Sequence, residues 1–391
     1  MAAGFSAASG ARTTLLERTA DGGRKILISG GGRCNVLPST LAPERFVSDS
    51  PAHLLKHMLR SWPLHEQRAF FEHELQIPLA LEEDSGKLFP ESNRARDIRD
   101  GLIAAARANG AILTFDTKVS DVMSTAEGFT VVTSGGAVEC HRVILATGGL
   151  SVPSTGSDGF GISLARRLGH IIVEPYPALT PLLGNGTHDS LAGVSLTVRL
   201  RAKVDDKVFE SRGGFLFTHR GYSGPSVLDI SHLATRGGSP IIRVQWCEVT
   251  AGQWASAFEA HSTSVATILG RRIPSRLADR LMAELGIPSD RRTSSLTRAE
   301  RLALIDALTS YPLPWTGSEG YKKAEVTGGG VALTEVDPKT LESKRVPGLY
   351  LCGEMLDAFG PIGGHNFSWA WATGRTAGRA AAAPRSAPAR A

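Results

Sequence analysis

The sequence predicts an α/β protein in which one domain is interrupted by a large insertion, and three observations support this prediction. Short apolar runs that end in glycines recur at 25–32, 143–149 and 346–353. Segments with helical periodicity lie between the first two runs. The composition changes at the proline-rich stretch 173–183, and a glycine-rich apolar pattern returns at 322–331. At 391 residues, the chain is long enough for two or three domains.

The first part of the chain alternates predicted strands with predicted helices. An apolar segment at 10–19 predicts a strand that ends in an acid, Glu17, and the apolar residues before Ser29 form a second strand-like run. Helical spacing is found at 54–75, 94–111 and 159–170. Four short strands with glycine-rich turns are expected at 111–142 as a small β-meander, and a buried strand follows at 143–149.

The domain limits follow from these patterns. The first domain is expected to comprise 1–175 and to return at 321–382. The insertion at 176–320 is β-rich to about residue 258 and helical and polar after it. The alanine, proline and arginine tail at 383–391 is expected to be disordered.

Composition excludes several classes of function. The net charge of +5 is mild for this length, and the basic residues are scattered without interleaved aromatics, so we expect no nucleic-acid partner. The four cysteines form no C-x-x-C pair and no histidine cluster has zinc spacing, so neither a metal site nor a disulfide framework is expected. The sequence contains no apolar run long enough for a membrane span and no signal segment, which favours a cytoplasmic protein without a membrane partner.

The glycine clusters at 28–35, 147–149 and 363–366 carry the functional prediction. A strand that ends in glycines and leads into a helix aims backbone N–H groups at an anionic ligand, because glycine permits close approach and the helix N-terminus is partially positive. Three such clusters, together with an acid after a glycine-led helix, are typical of a dinucleotide site. Glu17 would then accept hydrogen bonds from the ribose of an adenosine.

Five segments resemble one protein family. They are "GRKILISGGGRCN", "VILATGG", "FTHRGYSGPSVLDIS", "AEVTGGGV" and "VPGLYLCGEMLDAFGPIGGHNFSWAWATG". They resemble the BaiN/RdsA-like family of bacterial NAD(P)/FAD-dependent oxidoreductases, which includes aminoacetone oxidase family FAD-binding enzymes. The resemblance runs from residue 4 to about 380. It implies a Rossmann-like FAD-binding domain with an inserted β-barrel and helical domain, and an FAD-dependent oxidoreductase that is NAD(P)H-linked and transfers hydride through flavin N5 to or from a small molecule.

The resemblance also assigns the cofactor contacts. It places the adenosine ribose at Glu17 and the adenine at the backbone of Val119. The remaining positions run along the pyrophosphate, the ribityl chain and the flavin: Ser29, Gly30, Gly31, Gly32, Arg33, Cys34, Asn35, Thr147, Gly148, Gly149, Gly353, Glu354, Asp357, Gly363, Gly364, His365 and Asn366. Among them, the last four present a helix start to the pyrimidine edge of the flavin, where negative charge accumulates on reduction.

The start of the sequence departs from the family pattern. Gly4 matches the last glycine of a G-x-G-x-x-G turn, but Met1 stands where the second glycine belongs, and the first glycine and its strand are missing. A misassigned start codon and a shortened, cofactor-free remnant are both open explanations. Two other functions remain as alternatives: a flavin-dependent RNA-modifying enzyme and, less favoured, a nicotinamide-only dehydrogenase.

Three residues are weak candidates for catalysis. Arg33 could fix a substrate carboxylate or a flavin carbonyl, and its charge could lower the pKa of the Cys34 thiol. Packing against the flavin is the favoured role of Cys34, because no second cysteine follows closely. His365 could donate a proton near the flavin or simply cap the helix. The substrate, the choice of NADH, NADPH or dioxygen, and the oligomeric state are not predicted.

Overall fold

The chain divides into two compact units. The computed structural model describes residues 1–260 and 262–384, so the predicted tail at 383–391 lies outside the described residues except for Ala383 and Pro384. The first unit comprises Met1–Tyr176 and continues from Val326, and the second comprises Pro177–Glu325.

The first unit contains short strands and seven α-helices among its described residues. The helices are α1 Ala2–Ala8, α2 Arg24–Ile28, α3 Ala52–Arg60, α4 Leu64–Ala69, α5 Ala95–Ala108, α6 Phe160–Arg167 and α13 His365–Ala382. The strands are β1 Thr14–Leu16, β2 Leu37–Pro38, β3 Leu79–Glu82, β4 Lys87–Pro90, β5 Ile112–Thr114, β6 Val119–Ser124, β7 Phe129–Thr133, β8 Gly136–Cys140, β9 Val143–Leu145, β10 Ile172–Ala178, β18 Val326–Val331 and β19 Leu349–Leu351. The last two residues of β10 belong to the second unit.

Parallel pairs of strands form the α/β part of the first unit. Strand β1 pairs with β5, and β9 pairs with β19, in parallel. Because β5 belongs with β1, the predicted four-stranded meander is wrong by one strand, and the antiparallel meander is β6-β7-β8. The strand predicted at 143–149 ends at Leu145, the one fully buried residue of β9. A third sheet, β2-β4-β3, carries the segment that follows the first glycine cluster.

The run before Ser29 is helical, which corrects the predicted strand. Helix α2 begins after Gly23, which has a left-handed φ of 62°, and ends at Ile28. Ile28 is 52% exposed, whereas a central strand of a parallel sheet would be buried on both faces. Hydrophobic periodicity cannot distinguish a short buried strand from a short helix, and the apolar-rich run 25–28 is too short for its length to decide between the two.

Helix α13 organises the core of the first unit. Trp369 and Trp371 are both buried, and their indole N–H groups donate to the carbonyls of Gly353 and Val36. Both tryptophans therefore anchor the helix by packing and by these hydrogen bonds. On another part of the helix, a Cβ at Gly378 would lie 2.4 Å from the carbonyl oxygen of Ala2, so glycine allows α1 to approach closely.

The second unit is built on one seven-stranded sheet. Its strands are β11 Leu182–Gly184, β12 Ser195–Val204, β13 Lys207–Thr218, β14 Gly221–Ser223, β15 Arg243–Gln245, β16 Tyr311–Pro312 and β17 Trp315–Ser318. The order is β16-β15-β12-β13-β14-β11-β17, with β16 and β17 at the two edges. Only Leu313 and Pro314 separate these edges in the chain, and three Cα–Cα steps span at most about 11 Å, so the sheet curls into a barrel.

Helices and aromatic side chains complete the second unit. The helices are α7 Pro225–Ile230, α8 His232–Thr235, α9 Ala251–Ala260, α10 Val265–Gly270, α11 Ser275–Glu284 and α12 Arg298–Thr309. Trp246 stacks on Phe217 at 5.8 Å inside the barrel. Tyr222 is 1% exposed in this core, and its hydroxyl meets His188 Nδ1 at 2.9 Å. Among the described residues, no helix is both long enough and apolar enough to cross a membrane.

Candidate functional site

The first and last glycine clusters meet in the first unit. Strand β2 begins two residues after Asn35 and packs on the start of α13. A Cβ at Gly364 would lie 2.5 Å from the carbonyl carbon of Leu37, and Gly364 has a φ of 88°, so glycine is required there for two reasons. The Ser29–Asn35 loop and the Gly363–Asn366 helix start therefore lie side by side.

The Ser29–Asn35 loop exposes bare backbone. Gly30, Gly31 and Gly32 have φ values of 56°, 69° and 87°, and all three are exposed. A Cβ at Gly31 would meet nothing within 4 Å, so packing within the protein does not explain this glycine. A loop of successive left-handed residues turns N–H groups outward, as anion-binding loops do.

Arg33 is held in place but keeps exposed donors. Its guanidinium lies 4.0 Å from the centroid of the Phe89 ring, and Nη1 donates to Glu82 Oε1 at 3.1 Å. The side chains of Arg33 and Glu82 are each 41% exposed. Since a guanidinium has five N–H donors, this arrangement leaves some of them for an incoming oxygen.

Cys34 is an inert thiol in this arrangement. It is 0% exposed, and burial raises the pKa of its thiol to about 12. A thiolate is the reactive form of cysteine, so the lowered pKa considered from the neighbouring Arg33 is not observed. Its φ of 63° places it at the bend of the loop, where its N–H donates to the carbonyl of Ser29 at 3.0 Å.

Two buried polar atoms at the junction lack a partner in the described protein. Asn35 is 8% exposed and its Oδ1 accepts no hydrogen bond, and His365 is 4% exposed and its Nε2 makes none. Burial, with a contribution from Arg45, lowers the pKa of His365 to about 4, so the imidazole is neutral at pH 7. Its Nδ1 faces the carbonyl of Ile362 at 3.2 Å, which makes Nδ1 the donor and Nε2 a free acceptor.

Asn366 has a structural task at the same helix start. Its Oδ1 accepts from Gly360 N at 2.9 Å, and its Nδ2 donates to Gly360 O at 2.9 Å. This pair of bonds closes the loop before α13. The side-chain amide of Asn366 is therefore occupied within the protein.

Glu17 follows the last residue of β1, and its backbone pairs with the segment that leads to Val119. Glu17 Oε1 accepts from the N–H and hydroxyl of Thr19 at 2.8 and 2.7 Å, which fixes the carboxylate at the strand end. The carbonyl of Glu17 accepts from Thr117 N, two residues before Val119. A Cβ at Gly4 would sit 3.5 Å from Ala106, so Gly4 lies at the contact between α1 and α5.

The second glycine cluster meets the segment after β19. A Cβ at Gly149 would lie 2.3 Å from Thr327 Oγ1 and 3.1 Å from Glu354 Oε1. Thr147 in the same cluster is exposed, and Gly148 has a φ of 69°. Nearby, Gly353 has a φ of 77° and room for a Cβ, and its N–H donates to Thr373 Oγ1 at 3.0 Å.

Glu354 belongs to a cluster that sequence reasoning missed. Lys25 Nζ lies 2.5 Å from Glu354 Oε2 and 2.5 Å from Ser151 Oγ. Ser151 Oγ donates to Glu354 Oε1 at 2.5 Å, and Thr327 N donates to the same oxygen at 2.9 Å. Burial raises the pKa of Glu354, but Lys25, Ser151 and Thr327 outweigh it and hold the pKa below its usual value. In the sequence, Lys25 was a lone lysine before a glycine loop, and nothing pointed to its partner.

Asp357 is buried and accepts hydrogen bonds from the 48–50 segment. Its Oδ2 accepts from Asp49 N at 2.9 Å and from the hydroxyls of Ser48 and Ser50 at 3.1 and 3.2 Å. Burial raises its pKa to about 6 against the effect of these bonds. These contacts describe a structural carboxylate.

The residues present fit an FAD molecule. Three glycine clusters supply exposed or closely approachable backbone for a diphosphate, and Glu17 stands at a strand end where a ribose would bind. The unpartnered acceptors Asn35 Oδ1 and His365 Nε2 suit a ligand N–H, such as the one on the pyrimidine ring of flavin. Among the described residues, no group of three or more His, Cys, Asp or Glu side chains could hold a metal ion.

Comparison with known proteins identifies the family of the chain. The family model described as "HI0933-like protein Rossmann domain" matches residues 1–380. A ribosomal RNA dihydrouridine synthase from Escherichia coli (strain K12) is 34% identical over 373 residues, which are 93% of this chain and 90% of that protein. A 3-dehydro-bile acid delta(4,6)-reductase from Clostridium scindens (strain ATCC 35704 / DSM 5676 / VPI 13733 / 19) is 33% identical over 384 residues, which are 95% of this chain and 93% of that protein.

A solved structure supports the fold. The 3-ketosteroid-delta4-(5alpha)-dehydrogenase from Rhodococcus jostii RHA1, in complex with 4-androstene-3,17-dione, matches with a TM-score of 0.51 at 14% identity and covers 98% of this chain and 94% of that one. At this identity the likeness shows the fold alone. Together with the family match, it confirms the predicted Rossmann-type α/β fold. The chain belongs to the HI0933-like Rossmann domain family, that of the BaiN/RdsA-like FAD-dependent oxidoreductases.

Proposed function

We propose that this FAD-dependent oxidoreductase uses NAD(P)H to reduce a carbon–carbon double bond conjugated to a carbonyl group in a small molecule. The observation that carries the proposal is what two relatives of nearly equal identity have in common. Making dihydrouridine from uridine and reducing a 3-keto-4,6-diene both add two hydrogens to a double bond conjugated to a carbonyl. The substrates of the two relatives differ widely, so the proposal rests on the reaction that they share and not on either substrate.

The side chains around the loops have separate tasks in this proposal. Bound FAD supplies reversible two-electron transfer. The exposed guanidinium of Arg33 binds the substrate carbonyl oxygen and polarises the conjugated bond, while Phe89 and Glu82 keep it oriented. His365 and Asn35 present acceptors that orient the cofactor. Cys34 fills space, because its thiol stays protonated.

Anaerobic stopped-flow measurements test the proposal. The FAD-loaded protein is first mixed with NADH or NADPH, and the loss of oxidised-flavin absorbance is recorded. The reduced protein is then mixed with 2-cyclohexenone, with a 3-keto-4-ene steroid, or with the saturated analogue of each. Reoxidation by the unsaturated compounds alone supports the proposal, whereas equal rates with both members of each pair would contradict it.

RNA is the second candidate substrate, and two observations favour it. One relative bears the name ribosomal RNA dihydrouridine synthase, which counts against the prediction of no nucleic-acid partner. The second unit, 177–325, holds 18 Lys and Arg against 14 Asp and Glu, so it carries +4 of the net charge of +5. Exposed arginines such as Arg271, Arg272 and Arg298 belong to its helical part.

A direct assay separates the two candidates. Ribosomal RNA purified from cells that lack the enzyme is incubated with the loaded protein and NADPH, and its nucleosides are analysed by mass spectrometry. A uridine that gains two hydrogens would establish RNA as the substrate. Unchanged RNA, together with turnover of a small enone, would favour the first candidate.

A further inference from the structure

Lys25, Ser151 and Glu354 form a closed hydrogen-bonded triangle. Each pair of side chains is joined at 2.5 Å, and Thr327 N adds a fourth bond to the carboxylate. The side chains of Lys25 and Glu354 are only 27% and 17% exposed, so solvent screens their charges poorly. The triangle joins α2, the segment after Gly149, and the segment after β19.

The position of this triangle creates an electrostatic problem for the proposed cofactor site. Glu354 Oε1 lies against Gly149, within the second glycine cluster, and Gly353 is its chain neighbour. A diphosphate placed along these loops would lie near the carboxylate, and like charges in a poorly solvated site repel strongly. Lys25 is the charged side chain that faces Glu354, since Ser151 and Thr327 are neutral.

We propose that Lys25 is a positioning residue of the cofactor site, and that it cancels the charge of Glu354 so that an anionic dinucleotide can lie along the glycine loops. The inference rests on the proposed FAD contacts. In this role Lys25 acts through Glu354, since two of the three N–H donors of its ammonium already go to the carboxylate and to Ser151 Oγ. The triangle also holds the start of α2 at Lys25, four residues before Ser29, so it orients the first glycine loop.

Neutralising Glu354 and binding phosphate directly predict different FAD affinities for the double variant, which carries both Lys25→Met and Glu354→Gln. If Lys25 only neutralises Glu354, then Lys25→Met harms FAD binding while Glu354 is present and is almost harmless in a Glu354→Gln background. If Lys25 contacts phosphate, the double variant is as weak as Lys25→Met. The double variant has no unpaired buried carboxylate, so we expect it to fold.

The experiment measures the FAD dissociation constant of the apoprotein by flavin fluorescence for wild type, Lys25→Met, Glu354→Gln and the double variant. Lys56→Met, an exposed lysine on α3, is the matched control. Lys25→Met is expected to weaken FAD binding by about 30-fold or more. This factor corresponds to the smallest loss of binding free energy usually found when one partner of a buried charge pair is removed. Glu354→Gln and the double variant are expected to stay within about fivefold of each other, and Lys56→Met within about twofold of wild type.

The pH dependence of FAD binding distinguishes this role from a purely structural one, because loss of a purely structural lysine would not change that dependence. Without Lys25, burial raises the pKa of Glu354, so its protonation at mildly acid pH should restore much of the affinity of Lys25→Met. The double variant should show no such recovery. If Lys25→Met does not fold, the FAD affinities of the double variant and of Glu354→Gln are sufficient to distinguish neutralisation from phosphate binding.

Two results would overturn the inference, and they are distinguishable. A double variant as weak as Lys25→Met, or much weaker than Glu354→Gln, would show that Lys25 binds the ligand itself, while the proposed site would stand. A folded wild-type protein that takes up no FAD would remove both the inference and the proposed site.

Discussion

Replacing Asp357 with asparagine should remove a pH dependence from the stability of the first unit. Asp357 is 2% exposed, and burial raises its pKa from 3.8 to about 6. The amide oxygen of asparagine can accept the same three hydrogen bonds from Asp49 N, Ser48 Oγ and Ser50 Oγ. The substitution therefore changes the ionisation and keeps the shape.

The magnitude follows from the size of the pKa shift. A raised pKa means that folding favours the protonated acid, so the stabilisation is fully present below about pH 3.8 and is lost as the pH rises through about 6. A shift of about two pKa units corresponds to about 3 kcal/mol in total. Between pH 5 and 7, the wild type should lose about 1 kcal/mol of unfolding free energy relative to Asp357→Asn.

Urea unfolding at pH 5, 6 and 7 measures this difference. Asp84→Asn, at an exposed position, is the matched control and should follow the wild-type profile. If Asp357→Asn and wild type show parallel profiles, burial does not control the ionisation of Asp357, and the reasoning is refuted.

Three further predictions test other parts of the structure. Gly149→Ala forces a Cβ to within 2.3 Å of Thr327 Oγ1, so it should weaken FAD binding by about tenfold or more, measured by flavin fluorescence. Tyr222→Phe removes the bond to His188 Nδ1 and should cost about 1 kcal/mol of unfolding free energy in urea, whereas an unchanged midpoint would contradict the buried bond. Arg33→Met should slow the reoxidation of reduced, FAD-saturated protein by an enone about 100-fold, and an equal rate would exclude the carbonyl contact.

The sequence predicted the α/β class because glycines after apolar runs and helical spacing reflect local backbone needs. Gly364 illustrates this, since its positive φ of 88° is a local backbone conformation that requires glycine. The four-residue run at 25–28 was assigned wrongly because its helical state depends on Gly23 and on tertiary packing. Likewise, β5 was placed in the meander because its partner, β1, lies about 100 residues earlier.

The candidate site was less predictable than the fold. Glycine positions were visible in the sequence, but the partner of Lys25 lies 329 residues away, and no local pattern connects the two. The state of Cys34 depended on burial, which overrode the effect of the neighbouring arginine. The unpartnered atoms of Asn35 and His365 exist only because two distant segments pack together.

The most direct test of the central claim is the visible spectrum of the purified protein after addition of FAD and gel filtration, followed by anaerobic titration with NADPH and NADH. We predict that oxidised flavin travels with the protein and is bleached by one of the two nucleotides. A folded protein that elutes colourless after exposure to excess FAD would contradict the claim.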